Sequence, residues 1–265
     1  MIARHDGDTV SLANGCICCS IGGSLLNTLV SIARRPVLPD HLLIEASGVA
    51  DPWRVAEIGL ADRRFRLDGV IVLADCERVR QQAEDRYTGD IVRRQLDTAD
   101  LIVLNKVDLL APPHREEVAY WLRTRSPGVR IVEAVHAGVP LELLMAVEPH
   151  HFQASGYEAH QGHGSDPSSD RFESWSFSAD RPFDGQAFRE VIDALSASTL
   201  RAKGILLLAD ELDRRTIFQM VGRRLRFEDG GAWGPASPSS KLVLIGMPYG
   251  LDADFLQERF TEALA

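Results

Sequence analysis

Lysine is scarce in this chain of 265 residues, which contains only Lys106, Lys203 and Lys241. They follow asparagine, alanine and serine, so the sequence has no Gly-Lys pair. A loop of the form G-x-x-x-x-G-K-[S/T] holds nucleotide phosphates with its backbone N–H groups and its lysine. Such a loop is therefore absent from these residues.

Long apolar runs and cysteines are also scarce. No run approaches the ~18 apolar residues of a membrane-spanning helix, and the first ten residues lack the basic and apolar regions of a signal peptide. We therefore expect a cytoplasmic protein without a membrane partner. In that reducing compartment, cysteines are more often metal ligands or redox thiols than structural disulfides. Cys76 stands alone after an apolar run, and we expect a small buried residue there.

Positive charge is in deficit, with 29 Lys and Arg against 38 Asp and Glu and a formal net charge of −9. A nucleic-acid-binding protein usually displays a basic face to the phosphates, so we expect no nucleic-acid partner. Hydrophobic residues make up 45% of the chain. That content suffices for a buried core and excludes a disordered protein.

Four short apolar runs in the first half predict strands: LLIEASG (42–48), GVIVLAD (69–75), LIVLNKVD (101–108) and VRIVEAV (129–135). Unbroken runs of Val, Ile and Leu are typical of strands buried on both faces of a parallel sheet. The segments between them have helical spacing, and Asp51-Pro52 resembles an N-cap followed by proline at the first helical position. The pattern predicts an α/β domain with functional residues at the carboxyl ends of its strands.

The composition changes at about residue 148. Residues 148–171 are rich in His, Gly, Ser and Asp, which predicts a flexible linker. Beyond it, alternating strand patterns, an amphipathic helix and a final helix capped by Asp252 predict a small α+β domain. We thus expect an α/β domain in residues 1–147, a His-rich linker in 148–171 and a second, smaller domain in 172–265.

Three cysteines, Cys16, Cys18 and Cys19, lie within four positions between glycines. Thiolates suit Zn(II), Co(II) or Cu(I), and three from one tight loop can cover one face of a tetrahedral ion. A fourth position would remain for water, a side chain elsewhere in the chain, or a recipient protein. Two alternatives remain: a reversible disulfide between Cys16 and Cys19, which have C-x-x-C spacing, and inert packing.

Four of the eight histidines, His150, His151, His160 and His163, lie in the predicted linker. Neutral imidazoles on a tether can accept Zn, Ni, Co or Cu with low specificity. We expect them to raise the local metal concentration near the thiolates. A solvated linker with chance histidines is the alternative.

The third apolar run ends in an N-K-x-D motif formed by Asn105, Lys106 and Asp108. In such loops the aspartate accepts hydrogen bonds from guanine N1–H and the 2-amino group, while the asparagine braces the loop. Adenine lacks both donors, so ATP would leave the carboxylate unpaired. The lysine stem can lie along the ring face. The short motif also fits an ordinary strand-to-turn transition.

The first run ends in Glu45, followed by Ser47 and Gly48. In a phosphate-binding α/β protein, an acid at this place holds Mg(II), usually through water, and the glycine can offer its N–H to a γ-phosphate. A helix cap or a solvated turn is the alternative. We treat Glu45, Ser47 and Gly48 as candidate catalytic residues.

The chain contains, in order, GCICCS, IEASGVADP, DGVIVLAD and LNKVDLL, then a His-rich linker, and then RPFDGQAFREVIDAL, AKGILLLAD and KLVLIGM. In this order the motifs resemble those of the CobW-type GTPases proposed as metallochaperones. The resemblance covers nearly the whole chain. It implies a P-loop-NTPase-like, mostly parallel sheet followed by a smaller α+β domain. It further implies that the clustered cysteines bind Zn(II) or Co(II), that Glu45 faces Mg(II), and that Asn105, Lys106 and Asp108 bind the guanine of GTP.

By that resemblance, GTP hydrolysis or exchange gates metal delivery to a client metalloenzyme or its assembly factor, and homo-oligomer formation is left open. Members of the family begin with a strand and a phosphate loop, which these residues lack. We expect Met1 to be internal to a longer, N-terminally truncated chain, with a natural short form as the alternative. For the chain as written, we expect metal binding with weak or absent GTP hydrolysis. The alternative from another class is a metal-binding or scaffold protein with a decayed GTPase fold.

Overall fold

A computed structural model describes residues 2–6, 9–12, 20–46, 48, 50–144, 172–195, 197–222, 224–235 and 237–265. The chain divides into two compact units. The first contains Met1–Val70 and Val79–Thr98, and the second contains Ile71–Arg78 and Ala99–Ala265. No helix in the described ranges is both long enough and apolar enough to cross a membrane.

The described residues of the first unit form a hairpin and four helices. Strands β1 (Ile2–Asp6) and β2 (Thr9–Leu12) pair antiparallel. The helices are α1 (Ser20–Ala33), α2 (Pro52–Leu60), α3 (Val79–Glu84) and α4 (Gly89–Thr98). The predicted cap of α2 is confirmed, because Trp53 N–H donates to Asp51 Oδ1 at 3.0 Å and Pro52 occupies the first turn.

The predicted strand at residues 42–48 is wrong. Residues 41–46 form no regular secondary structure, and Leu42, Leu43 and Ile44 are 40%, 78% and 39% exposed. A strand is stable only where a neighbouring strand satisfies its backbone N–H and C=O groups. Among the strands that the structure describes, none pairs with this segment. Its apolar sequence alone therefore does not make it a strand.

The second unit begins with a three-stranded parallel sheet in the order β3–β4–β5. The strands are β3 (Ile71–Asp75), β4 (Leu101–Asn105) and β5 (Arg130–Ala134), so the other three predicted strands are confirmed. All five residues of the central strand β4 are buried, whereas Leu73 on the edge strand β3 is 60% exposed. Asp75, Asn105 and Ala134 are aligned at the carboxyl edge of the sheet.

Three helical segments connect or follow these strands: a short 3-10 turn at Val107–Leu109, α5 (Pro112–Arg125) and α6 (Leu141–Leu144). The chain then forms a five-stranded antiparallel sheet in the order β6–β10–β7–β8–β9. Its strands are β6 (Glu173–Ala179), β7 (Thr199–Leu206), β8 (Arg214–Val221), β9 (Arg224–Ala232) and β10 (Ser240–Gly246).

Helices α7 (Gly185–Asp193) and α8 (Ala253–Glu262) cover one face of the antiparallel sheet. Their contact is an aromatic core in which Phe183, Phe188, Phe218 and Phe260 are completely buried. The predicted cap of α8 is confirmed, since Phe255 N–H donates to Asp252 Oδ1 at 3.0 Å. The fold is therefore α/β with a parallel sheet, followed by an α+β portion.

Both sheets contribute to one apolar cluster within the second unit. Leu101 and Val132 from the parallel sheet pack in it with Leu143 and Leu200, and Met247 lies against it. Three arginine contacts join the same parts of the chain: Arg130 Nε donates to Thr199 O, Arg201 Nη1 donates to Leu143 O, and Arg224 pairs with Asp100. Burial lowers the pKa of Arg130. The predicted boundaries at 147 and 172 remain a prediction.

Candidate nucleotide-base site

Asn105 ends strand β4 and joins two neighbouring segments to it. The residue is 9% exposed, and its Oδ1 accepts a hydrogen bond from Ala137 N–H at 2.8 Å. Its carbonyl oxygen accepts from Cys76 N–H at 2.9 Å. His136 and Ala137 have positive φ angles of 53° and 54°, so this turn is sharply bent where Asn105 holds it. Asn105 thus fixes the loops after β3 and β5 relative to its own loop.

Lys106 has a φ of 62° and carries the chain out of β4 into the 3-10 turn. Its Nζ lies 2.7 Å from Asp75 Oδ2, while Asp75 Oδ1 accepts from Glu77 N–H at 3.0 Å. Burial raises the pKa of Asp75, but the hydrogen bonds from Lys106 and from Glu77 N–H outweigh it, and the net pKa is lowered. Asp75 is therefore ionised and holds the lysine ammonium group in place.

Sequence reasoning identified Asn105, Lys106 and Asp108 but missed Asp75. One signal for it was available, because Asp75 is the acid that ends the preceding apolar run. In a parallel sheet, the ends of adjacent strands lie side by side, and Asp75 is in register with Asn105. The register places the carboxylate within reach of the next residue, Lys106.

Asp108 is exposed and lines a cavity of about 410 Å³. This volume lies within the range of small-molecule sites. The lining combines apolar walls with three charged side chains and consists of Val107, Asp108, Arg115, Val132, Glu133, Val135, Phe172, Met247 and Pro248. The cavity therefore offers apolar surface together with hydrogen-bonding side chains.

Arg115 and Glu133 face each other in this cavity. Arg115 Nε lies 3.4 Å from Glu133 Oε2, an ion pair that lacks the alignment of a hydrogen bond. That buried Nε has no hydrogen-bond partner among the described residues. Cys76 is 1% exposed, which confirms the prediction of a buried residue there. Burial raises the pKa of its thiol, and the negative charge of Glu133 raises that pKa further.

Glu45 and Gly48 belong to the first unit. Glu45 is exposed in the segment 41–46, which forms no regular secondary structure. Gln95 Nε2 of helix α4 donates to the carbonyl oxygens of Gly48 and Ala50 at 3.0 and 2.9 Å. Gln95 therefore fixes the backbone that follows Glu45, a role that sequence reasoning missed. Ser47 lies outside the described residues.

All the predicted metal ligands lie outside the described residues as well: Cys16, Cys18, Cys19, His150, His151, His160 and His163. Within the part of the chain that the structure describes, no group of three or more His, Cys, Asp or Glu side chains could hold a metal ion. The metal site therefore stays a prediction from the cysteine spacing and the resemblance.

Comparison with known families gives two matches. Residues 1–133 match the model described as CobW/HypB/UreG, nucleotide-binding domain, and residues 172–264 match the one described as Cobalamin synthesis protein cobW C-terminal domain. The second match covers the antiparallel sheet and helices α7 and α8. The two matched segments follow each other in the order that the motifs predicted.

Three curated proteins are similar over most of the chain. Zinc chaperone CobW from Sinorhizobium sp. is 28% identical over 92% of this chain and 78% of its own length. Zinc chaperone YjiA from Escherichia coli strain K12 is 28% identical over 89% and 77%. Zinc-regulated GTPase metalloprotein activator 1 from Dictyostelium discoideum is 23% identical over 84% and 54%. A crystal structure of Zn(II)-bound YjiA GTPase from E. coli aligns with a TM-score of 0.41 at 24% identity, covering 97% of this chain and 79% of that one.

Proposed function

Because this chain belongs to the CobW/HypB/UreG family, we propose that it is a metallochaperone GTPase. It binds a guanine nucleotide and a transition-metal ion, and it delivers that ion to a client metalloenzyme or its assembly factor. Zinc is the favoured cargo, since the similar proteins are named zinc chaperones or zinc-regulated activators. Cobalt is the second candidate, because it accepts the same thiolate ligands.

One observation supports the nucleotide part of the proposal above all others. The N-K-x-D motif begins with Asn105, the last residue of a fully buried strand, and Asp108 lines a cavity with apolar walls. Asp108 would accept hydrogen bonds from guanine N1–H and the 2-amino group. Lys106, anchored by Asp75, would lay its stem along the ring. Adenine offers neither donor to the carboxylate, which gives the preference for GTP over ATP.

Glu45 and the backbone after it would serve the phosphate end. A magnesium ion, when bound, neutralises the charge that develops on the phosphoryl oxygens. Glu45 is exposed and would hold that ion through water, while Gly48 N–H would face the γ-phosphate. Gln95 keeps the nearby carbonyls of Gly48 and Ala50 in hydrogen bonds, which restricts the conformations of this loop.

The cargo would bind to the thiolates of Cys16, Cys18 and Cys19. Three thiolates leave one position of a tetrahedral ion for a ligand from the recipient, so the ion can be handed on. The histidines at 150, 151, 160 and 163 would collect metal for this site. Nucleotide binding or hydrolysis would change the metal affinity and thereby set the direction of transfer.

Titration with Co(II) and with nucleotides tests the proposal. We expect a thiolate-to-cobalt charge-transfer band that is weakened in Cys18→Ser and unchanged in Cys76→Ser, since Cys76 is buried and is not one of the clustered cysteines. We expect guanosine nucleotides to bind more tightly than adenosine nucleotides and Asp108→Ala to abolish this preference. The absence of the band in the wild-type chain would refute the metal part, and equal affinity for both bases would refute the guanine part.

A metal-binding scaffold with a decayed GTPase fold is the second candidate. The observation in its favour is the lack of any Gly-Lys pair in the sequence. Such a scaffold predicts a cobalt band together with nucleotide binding that is independent of Mg(II) and indifferent to the base. Mg-dependent binding with a preference for guanine would decide against it.

A further inference from the structure

Part of the cavity beside Asp108 comes from an unexpected region of the chain. Three of its nine lining residues, Phe172, Met247 and Pro248, belong to the C-terminal portion rather than to the loops after β4 and β5. Phe172 immediately precedes β6, and Met247 immediately follows β10. All three side chains are apolar and half-buried, and they lie in the same compact unit as Asp108.

The turn that carries Met247 and Pro248 is held by Glu173. Its Oε1 accepts a hydrogen bond from Tyr249 N–H at 2.5 Å, and its Oε2 accepts from Leu251 N–H at 3.4 Å. Met247 N–H donates to Ser198 O at 2.9 Å, and Gly250 N–H donates to Met247 O at the same distance. Tyr249 has a φ of 56° and is 99% exposed, so its side chain does not hold the turn. The hydrogen bonds donated by backbone N–H groups hold the turn.

The same turn is also fixed to the parallel sheet. Met247 and Phe172 pack against the buried cluster that contains Val132 and Ala134 of β5. Val132 itself lines the cavity. The wall is therefore held at a fixed distance from the N-K-x-D loop, because the wall packs against β5 and that loop follows β4, the strand paired with β5.

We infer that the C-terminal portion supplies an apolar wall of the base pocket, formed by Phe172, Met247 and Pro248, with Glu173 as a positioning residue. This inference rests on the proposed function and deepens it. Asp108 binds the edge of a purine and the Lys106 stem lies along one ring face, so the other face remains to be covered. Apolar side chains cover such faces well, because the removal of ring and side-chain surface from water is favourable.

Methionine methyl NMR on the full chain tests the contact directly. The chain has four methionines, Met1, Met145, Met220 and Met247, and each gives one signal when its methyl carbon is ¹³C-labelled. On addition of guanosine, we expect the Met247 signal to shift with saturation, because an aromatic ring then lies against the methyl group. Met220 is 2% exposed in the aromatic core and serves as the internal control. Its signal should stay in place.

Variants give the second measurement. We expect Met247→Ala, Pro248→Ala and Glu173→Ala each to weaken guanosine binding about fivefold, equivalent to about 1 kcal/mol. The preference over adenosine should persist in all three, since Asp108 is intact. Glu258→Ala removes an exposed glutamate of α8 and should bind as the wild type does. The Met247 shift is measured in the wild-type chain, so it does not depend on how the variants fold.

The outcomes separate the inference from the proposed function. If guanosine binds with an Asp108-dependent preference but the Met247 signal does not move and the three variants bind normally, the wall is wrong and the guanine site stands. If the wild-type chain shows no saturable binding of guanosine in preference to adenosine, the guanine site is wrong and the inference of an apolar wall is wrong as well.

Discussion

The ammonium group of Lys106 lies 2.7 Å from a carboxylate oxygen of Asp75, although 31 positions separate the two residues in sequence. The contact exists because β3 and β4 are adjacent and parallel, with Asp75 in register with Asn105. It restrains the lysine stem at the place where the proposed base would stack. The ion pair is partly exposed, with the lysine side chain 50% and the aspartate side chain 20% accessible.

Asp75→Asn should weaken guanosine binding without removing the preference for guanine. The amide keeps an acceptor for Glu77 N–H but loses the charge that anchors Lys106. Since partly exposed ion pairs contribute about 1 kcal/mol or less, we expect no more than an approximately fivefold increase in the Kd for guanosine. Titration with guanosine and adenosine measures both quantities. Glu77→Gln, at an exposed side chain, is the control, and a lost guanine preference in Asp75→Asn would contradict the positioning role.

The same carboxylate predicts a pH dependence of stability. The pKa of Asp75 is lowered in the folded chain from its ordinary value of 3.8. A group with a lowered folded pKa stabilises the protein fully above the unfolded value and loses that contribution as the pH falls through the folded value. We therefore expect the wild-type chain to lose more stability than Asp75→Asn when the pH is lowered below about 4. Parallel pH profiles of unfolding in the two chains would contradict this.

Arg224→Ala should destabilise the second unit strongly. Arg224 Nε lies 2.7 Å from Asp100 Oδ2, and the Asp100 side chain is 4% exposed. Removing one partner of a buried ion pair leaves the other charge in a poorly solvated place, which costs about 3 kcal/mol. Urea unfolding measures the loss. Arg214→Ala breaks an exposed pair with Asp229 and is the matched control, for which we expect little change.

Gly222→Ala should be among the most damaging single substitutions in the C-terminal portion. Gly222 has a φ of 55°, and an added Cβ would lie 1.7 Å from the carbonyl oxygen of Asp100. The combination of left-handed backbone and overpacking predicts a loss of at least about 3 kcal/mol in the free energy of unfolding.

Gly234→Ala provides the comparison for that substitution. Gly234 has a similar φ of 63°, but its added Cβ would meet no atom within 4 Å. We expect a loss of about 1 kcal/mol there, from the backbone conformation alone. Equal losses at the two positions would show that the close approach to Asp100 does not matter.

The sequence determined the kind and order of most elements. The apolar runs of β3, β4 and β5 specified strands, because unbroken Val, Ile and Leu suit burial on both faces of a sheet. Asp51 and Asp252 marked helix starts, because their carboxylates accept from N–H groups that a helix leaves unsatisfied. These effects are local, so the neighbouring residues suffice to predict them. The placement of the N-K-x-D motif at the end of a strand follows from the same local rules.

Tertiary structure alone decided what depends on partners that are distant in the chain. Residues 42–46 have the composition of a strand, yet they form none, because a strand also needs a neighbour for its backbone hydrogen bonds. The Asp75–Lys106 pair follows from sheet register, and the cavity wall at Met247 follows from packing against β5. The pattern of apolar side chains shows which surfaces must be buried. Which other part of the chain covers each surface is decided only when the whole chain folds.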